Sequence, residues 1–298
     1  MSLSKEIRAR LAQLNRKGVD SLPPADDPVP VAVPDTCVIQ IASPDVPRPR
    51  VGLRLEDAAP GRLVARPEGG AYWLIERRLS DFAPHYEPFL QRYCDLLTCE
   101  TLLLPEPPRR DLVEFVRCQA DRVLYLDIET TGLTGGAPLF LVGVMHCDGR
   151  DFVVRQFFAR HYGEEVHLLA DLADCLPRYD LLVTFNGRRF DAPYITDRAT
   201  VNRLAMRWPP RHLDLLYESR RRWARILPNC RLTTLEEHIC GRRRDDDIPS
   251  RLIPAAYHAF VHSEDAAQMR QVIHHNVLDL VTIAELALFM IVGRRDWT

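Results

Sequence analysis

Lysine is nearly missing from this chain of 298 residues, because only Lys5 and Lys17 among its 39 basic residues are lysines. The formal net charge is −2. This balance excludes a uniformly positive surface, so binding of nucleic acid would require local basic patches. Arginine suits bidentate phosphate contacts, but a preference this complete is also what a GC-rich genome produces.

Paired cysteines and long apolar runs are missing as well. The eight cysteines form no CxxC pair, which argues against zinc ligation and a disulfide framework and favours reduced thiols. Residues 1–18 lack the apolar core of a signal peptide, and the most apolar run, 280–293, is too short to span a bilayer. We therefore expect a cytoplasmic protein without a membrane partner, and a core helix over 280–293.

The most informative stretch is 123–133, which reads VLYLDIETTGL. Its short apolar start, rich in β-branched and aromatic residues, predicts a buried strand. Asp127 and Glu129 are two residues apart and therefore point to the same face of that strand. Such carboxylates repel each other unless a cation lies between them, and Mg²⁺ or Mn²⁺ prefer oxygen ligands. The alternative is a solvated strand end that carries two acids.

The patterning divides the chain into two predicted parts. Residues 1–115 are predicted to be an N-terminal accessory region, with a helix over 3–17, a proline-rich segment over 22–60, a hairpin over 61–78 and helices over 82–99 and 111–118. Residues 116–298 predict three antiparallel strands, a helix over 164–176, a strand over 181–185, a helix over 192–204, a strand or helix start over 212–217 and a long helix over 265–291. This order is typical of an α/β ribonuclease H-like fold, a mixed sheet flanked by helices.

Four acids stand at the ends or middles of these elements: Asp127, Glu129, Asp191 and Asp279. They belong to three motifs, LDIETTGL, FNGRRFD and HHNVLD. In this order the motifs resemble those of the DEDD exonuclease superfamily, and most of all its bacterial ribonuclease H-like predicted exonucleases. The resemblance covers about 124–288. It implies a metal-dependent 3′-to-5′ exonuclease that hydrolyses phosphodiester bonds at single-stranded DNA or RNA ends by a two-metal-ion mechanism.

The same resemblance implies two divalent cations, Mg²⁺ or Mn²⁺, held by the four acids. Asp127 is expected to contact both ions and Glu129 to bind one and orient water, while Asp191 and Asp279 complete the ligand shell. Other interpretations of two of these acids stay open. Asp191 precedes Ala192 and Pro193 as a helix N-cap would, and Asp279 fits an exposed helical acid.

The general base stays open between His274 and His275. Members of the superfamily place a histidine five residues before the last acid or a tyrosine four residues before it, and here both positions are histidines. Residues four apart share one face of a helix, whereas residues five apart diverge, so helical geometry favours His275. A histidine near its ordinary pKa is suited to accept a proton from water.

The predicted substrate contacts are Thr130, Asn186, Arg188, Arg189 and Phe190, which flank the first and third acids. The arginines are suited to bind phosphate and Phe190 to stack on a terminal base. The alternative is that Phe190 belongs to the core and the arginines are solvated.

Two arginine-rich runs lie further along the chain. Arg220, Arg221, Arg222 and Arg225, with Trp223 among them, form a second candidate patch for a nucleic-acid backbone. Residues 242–244 are arginines followed by three aspartates, so we expect this run to neutralise itself in local ion pairs.

Two other classes of function stay open. A non-catalytic nucleic-acid-binding scaffold on the same fold is disfavoured, because it has no electrostatic reason to keep four converging carboxylates. A structure-specific endonuclease would cleave a circular single strand, which offers no end. The accessory region is predicted to dock a protein partner or to narrow access for the substrate.

Overall fold

The computed structural model describes residues 52–83, 86–97, 109–132, 134–244 and 247–292. The predicted helix over 3–17 and the proline-rich segment as far as residue 51 lie outside these residues.

A mixed sheet of seven strands organises the described residues, in the order β1-β2-β5-β4-β3-β6-β7. The strands are β1 (Arg62–Ala65), β2 (Ala71–Arg78), β3 (Val123–Thr130), β4 (Leu139–Asp148), β5 (Asp151–Phe158), β6 (Leu181–Thr184) and β7 (Arg211–Asp214). β3, β4 and β5 form the predicted antiparallel meander, and β6 and β7 extend the sheet parallel to β3. The predicted α/β class with a mixed sheet is confirmed.

The predicted hairpin over 61–78 is present as β1 and β2. Gly69 and Gly70 close its turn with φ values of +92° and +80°, a region that glycine adopts without strain. β2 also pairs antiparallel with β5, where Trp73 lies opposite Phe158. The hairpin therefore extends the same sheet, while the proposed division of the chain near residue 115 stays a prediction.

Helices flank this sheet. They are α1 (Leu55–Ala58), α2 (Leu79–Phe82), α3 (Glu87–Leu97), α4 (Arg110–Arg117), α5 (Glu165–Cys175), α6 (Asp191–Val201), α7 (Leu215–Trp223), α8 (Leu232–Leu235), α9 (Ile253–Ser263) and α10 (Ala267–Val292). The region predicted as a strand or helix start over 212–217 contains both, since β7 ends at Asp214 and α7 begins at Leu215.

The two faces of β3 pack into two different hydrophobic clusters. Leu124, Leu126 and Ile128 belong to one hydrophobic cluster, whereas Val123 and Tyr125 belong to another. This alternation is the period of two that a strand imposes. Asp127 and Glu129 continue the row of Val123 and Tyr125, so the two acids share a face as predicted.

α10 is the longest described helix and is long and apolar enough to cross a membrane by length and composition alone. However, 83% of its most apolar window is buried inside the protein, which is what a core helix of a soluble protein also shows. Residues 280–291 are all buried. This burial agrees with the predicted core helix.

Candidate active site

Three elements bring the four predicted acids to one place. Asp127 and Glu129 lie half-buried near the end of β3, just before a register shift between Glu129 and Thr130. Asp191 is buried at the first position of α6, and Phe190 rather than Asp191 holds the N-cap position. Asp279 is half-buried on α10. The N-cap interpretation of Asp191 is therefore wrong.

The charges of these acids act on one another. Burial raises the pKa of Asp127 well above its ordinary value, and the charges of Asp279, Glu129 and Asp191 add to that rise. Burial likewise raises the pKa of Glu129 to about 8 and that of Asp191 to about 7, with Asp279 contributing to both. Burial and, after it, mutual repulsion thus disfavour the charged carboxylates of this cluster, and a bound cation would stabilise them.

An amide of α10 holds Asp127 in place. Asn276 Nδ2 donates a hydrogen bond of 2.8 Å to Asp127 Oδ2, while Gln156 Nε2 donates one of 2.9 Å to Asn276 Oδ1. Asp127, Gly143 and Gln156 are register partners across β3, β4 and β5. A Cβ atom at Gly143 would lie 2.0 Å from Asn276 Oδ1, so glycine is what gives the amide its place above the sheet.

The two candidate histidines face different surroundings. His275 is buried, with Nδ1 2.8 Å from Asp247 Oδ2 and Nε2 3.6 Å from Asp279 Oδ2. Burial opposes protonation of His275, but the bond to Asp247 and the charges of Asp279 and Glu129 outweigh it and raise its pKa. His274 is exposed and borders a cavity with Leu79 and Phe82.

Arg244 is the cation already present among the described side chains of the site. Its guanidinium is buried and donates to Asp279 Oδ1, to Glu236 Oε2 and, at 3.1 Å, to Asp247 Oδ2. Asp245 and Asp246 lie outside the described residues, and within the described part of the run Arg244 pairs with Asp247 as expected. Arg242 and Arg243 pair instead with acids outside the run, Glu236, Glu285 and Glu237.

The donor set fits a hard divalent cation, since every predicted ligand is a carboxylate oxygen and the cluster is short of positive charge around Asp127, Glu129 and Asp191. As the side chains stand, no three His, Cys, Asp or Glu residues in the described part of the chain form a complete metal site. One oxygen of the Asp279 carboxylate accepts a hydrogen bond from Arg244, so that oxygen is already engaged.

Of the predicted substrate residues next to Asp191, some are hydrogen-bonded within the protein and others are exposed to solvent. Arg188 is bonded to the carbonyl of His212 and lies 3.2 Å from Asp111 Oδ2. Asn186 adopts φ +67°, and its N–H is held by Asp214. Arg189 is exposed. The structure thus leaves Arg189 at the surface and engages Arg188 in contacts within the protein.

Phe190 and Thr130 are both partly engaged in the fold. The Phe190 ring is half-buried, packs against the core and lies 5.5 Å from the ring of Tyr194. Thr130 is buried and donates 2.7 Å to the carbonyl of Gly132, which closes the turn after β3.

The second predicted patch lies on α7 and the turn after it. Trp223 is buried and so does not contribute to the patch, and Arg222 donates to the carbonyls of Phe289 and Met290 at the end of α10. Arg220, Arg221 and Arg225 are exposed.

Sequence reasoning missed Asp247, Arg244 and Gln156 as parts of the site, and it treated Asn276 only as a mark of the motif. Asp247 carries no local signal, since it lies 28 residues from His275. Asp214 was also missed, although an aspartate between a strand and a helix is a recognisable N-cap signal.

The fold and this cluster of acids define the class of the protein. A family model described as the RNase_H superfamily matches residues 124–291, and the chain belongs to this superfamily. Membership supports a nuclease, and nucleases of this fold generally use divalent metal ions.

Two individual proteins are similar to the chain. An uncharacterized protein, YprB of Bacillus subtilis (strain 168), is 33% identical over 176 residues, which cover 57% of this chain and 42% of YprB. The chain thus spans less than half the length of that relative. The family B DNA polymerase from Pyrobaculum calidifontis is 19% identical over 56% of this chain and 24% of the polymerase, with a TM-score of 0.44, which is too weak a likeness to bear on the site.

Proposed function

We propose that this protein is a metal-dependent 3′-to-5′ exonuclease that acts on single-stranded DNA or RNA ends. The observation that carries the proposal is the cluster of Asp127, Glu129, Asp191 and Asp279, in which burial and the neighbouring negative charges raise the pKa values of the first three. The order of the three motifs supplies the DEDD type and the polarity. Four carboxylates are about what a pair of divalent cations requires.

Two cations, Mg²⁺ or Mn²⁺, would lower the pKa of the attacking water and neutralise charge on the phosphate. Asp127, Glu129, Asp191 and Asp279 are the residues proposed to hold them. Asn276 keeps the Asp127 carboxylate in one orientation, because its amide is itself fixed by Gln156. Asp279 would share its carboxylate between a cation and Arg244.

His275 is the proposed proton acceptor. Its Nδ1 is held by the Asp247 carboxylate at 2.8 Å, so Nε2 is the nitrogen that faces the acids. A carboxylate on one nitrogen fixes both the tautomer and the orientation of the ring. The proton of the attacking water would pass to Nε2 as the water oxygen forms a bond to phosphorus. The bond from phosphorus to the 3′ oxygen of the preceding nucleotide would break in the same displacement, and that oxygen would take a proton from solvent while the terminal nucleoside monophosphate leaves. Asp247 is therefore a positioning residue.

The terminal nucleotide would be held beside Asp191. Arg189 is exposed and suited to a phosphate, and the half-buried Phe190 ring is suited to stack on a base. Thr130 is the last residue of β3 and Asn186 lies two residues after β6, and both are proposed to contact the sugar or phosphate. We further propose that the protein acts in the cytoplasm and that residues 1–115 bind a protein partner.

Linear and circular forms of one single strand discriminate among the functions considered. We expect Mn²⁺ or Mg²⁺ to support shortening of a 5′-labelled linear strand from its 3′ end, with the circle left intact. Cleavage of the circle would replace the proposal with an endonuclease. Binding of both without cleavage would favour the non-catalytic scaffold.

A further inference from the structure

A group of exposed arginines lies on α4, on α7 and in the loop that leads to Asp191, although the chain as a whole has a net charge of −2. We call this group the basic surface. It consists of Arg109, Arg110, Arg188, Arg220, Arg221 and Arg225. Its side chains come from the start of α4, from the loop between β6 and α6, and from α7 with the turn that follows.

Acids of α4 and α7 hold Arg109, Arg188 and Arg221 of this group together. Glu218 of α7 is buried, and its carboxylate lies 3.5 Å from Arg109 Nε and 2.6 Å from Arg221 Nη2. Asp111, two residues after Arg109, lies 3.2 Å from Arg188 Nη2. The three elements therefore meet around Glu218 and Asp111.

The basic surface keeps a surplus of positive charge. Its ion-pair partners among the described residues are Asp111, Glu114 and Glu218. Arg220 and Arg225 are exposed, and neither forms an ion pair with a described residue. Both guanidinium groups are thus available to an external anion such as a phosphate.

An aromatic ring lies within the same surface. Tyr217 is 41% exposed. On α7 it lies three and four residues before Arg220 and Arg221, so these side chains share one face of the helix. Exposed rings beside arginines are what proteins use to stack bases while they bind the backbone of a single strand.

The basic surface is fixed to the candidate active site. Asp214 accepts hydrogen bonds from the N–H groups of Asn186 and Arg188, at 2.8 and 3.0 Å, and caps α7 through the N–H of Leu216 at 3.1 Å. Arg188 precedes Asp191 by three residues, which is a chain length of at most about 11 Å.

We propose that the basic surface binds the part of a single-stranded nucleic acid that lies several nucleotides away from the cleaved end. Arg220 and Arg225 bind phosphates, and Tyr217 stacks on a base. This inference rests on the proposed function, because it assigns a route to the same substrate.

The test measures binding in an Asp127→Asn background, which keeps the strand intact. Fluorescence anisotropy is recorded for labelled single strands of about 4 and about 20 nucleotides at several salt concentrations, since one OB-fold-sized site spans about 4–16 nucleotides. Arg220→Ala/Arg225→Ala and, separately, Tyr217→Ala are compared with the background. Arg62→Ala/Arg178→Ala serves as the control, because Arg62 lies exposed on β1 at the opposite edge of the sheet and Arg178 is exposed before β6.

We expect the arginine pair to weaken binding of the long strand about 10-fold or more. The slope of log K against log salt should fall by about 1.4, since each phosphate contact on a single strand contributes about 0.7. Tyr217→Ala should weaken the long strand by at least about fivefold. Binding of the short strand and the control variant should be unchanged, and circular dichroism checks the fold of each variant.

The inference is overturned if the arginine pair and Tyr217→Ala bind the long strand as tightly as the background does, or if the control weakens it equally. It is also overturned if the background binds the long strand no better than the short one. The proposed function fails by a different result, namely no cleavage of either length by the protein with Asp127 intact.

Discussion

The adjacent residues His274 and His275 on α10 have different surroundings, because one position along a helix changes the direction of a side chain. His275 contacts Asp247 and faces Asp279, whereas His274 is exposed beside Phe82. Residues four apart stack on one helix face, and this places His275 rather than His274 over the last acid. The assignment of the proton acceptor stays a prediction.

Replacing each histidine by alanine separates the two. His275→Ala should lower the rate of cleavage by at least about 100-fold, the usual lower range for loss of a general base. His274→Ala should keep the rate within about twofold, because its side chain lies away from the acids. Single-turnover rates on a labelled single strand provide the measurement. Equal losses in the two variants would argue that neither histidine accepts the proton.

Gly143 should be irreplaceable although it carries no functional group. A Cβ atom there would lie 2.0 Å from Asn276 Oδ1, so Gly143→Ala has to displace the amide that holds Asp127. We expect a loss of about 1–3 kcal/mol in the free energy of unfolding, as for other overpacked sites. Loss of a residue that orients a metal ligand should also reduce cleavage about 10–100-fold.

Gly136→Ala is the matched control, because a Cβ atom at that position meets its nearest neighbour only at 4.0 Å. Urea unfolding and cleavage assays on both variants test the prediction. A Gly143→Ala protein as stable and active as the control would mean that the observed position of the Asn276 amide is required neither for stability nor for cleavage.

Strand periodicity could predict that Asp127 and Glu129 share a face, whereas the other two acids and the histidine pair are suggested by the resemblance of the three motifs to the DEDD superfamily. It could not predict the residues that position them. Asn276 reaches Asp127 across 149 positions of sequence, and Arg244 reaches Asp279 across 35. Such contacts depend on how α10 crosses the sheet, which no short stretch of sequence specifies.

At the level of elements, a buried ion pair ties α5 and α6 to the turn after β3. Arg198 of α6 forms a two-pronged contact with Glu165 of α5, with Nε 2.7 Å from Oε1, and Glu165 also accepts the N–H of Leu139 at 2.7 Å. Arg198 Nη1 donates to the carbonyls of Gly135 and Gly136, at 3.3 and 3.4 Å. These bonds hold the segment that follows Asp127 and Glu129.

Arg198→Ala should destabilise the protein by about 3–5 kcal/mol, because Glu165 would stay buried without its partner. Arg78→Ala is the control, since Arg78 and Asp148 form an exposed pair that solvent screens, so its loss should leave the stability nearly unchanged. Chemical denaturation monitored by circular dichroism measures both. A loss below about 1 kcal/mol for Arg198→Ala would mean that Glu165 finds water or another partner.

The stability contributed by the contact between β6 and β7 should fall in acid. Burial and the charge of Arg188 lower the pKa of His212 to about 4, and its Nε2 lies 2.8 Å from Thr184 Oγ1. The unfolded chain takes up this proton near pH 6.5, so the folded state loses stability as the pH falls from about 6.5 towards 4. Above pH 6.5 the contribution of neutral His212 is fully present.

Replacement of His212 by glutamine should therefore flatten the fall in stability between pH 7 and pH 5 by about 1–2 kcal/mol. The exposed His262→Gln variant is the control. Denaturant unfolding at each pH provides the free energies, and the comparison between variants removes the common titration of the carboxylates. Parallel curves for the His212 and His262 variants would contradict the prediction.

The elements themselves could largely be predicted from the sequence, because strands such as β3 and helices such as α5 carry clear periodicity. The attachment of the hairpin to β5 could not. The pairing of β2 with β5 joins residues some 80 positions apart, such as Glu76 and Arg155. It depends on the tertiary arrangement rather than on a local pattern in the sequence.

At the level of the whole molecule, an acidic cluster and a basic surface are both present although the net charge is only −2. The acids gather at the end of β3 and on α6 and α10, while exposed arginines gather on α4 and α7. A nucleic acid bound with its end at the acids would meet repulsion there unless cations intervene, and attraction along the arginines. Under the proposed function, we therefore expect a divalent metal to be required for cleavage.

The most direct test of that condition is cleavage of a 5′-labelled single strand by the wild-type protein and by Asp127→Asn, with Mn²⁺ or Mg²⁺ and with a chelator. We predict products shortened from the 3′ end with either cation, none with the chelator, and a rate at least about 100-fold lower in the variant. Cleavage that survives chelation, or an Asp127→Asn protein as active as the wild type, would contradict a metal-dependent reaction at this cluster.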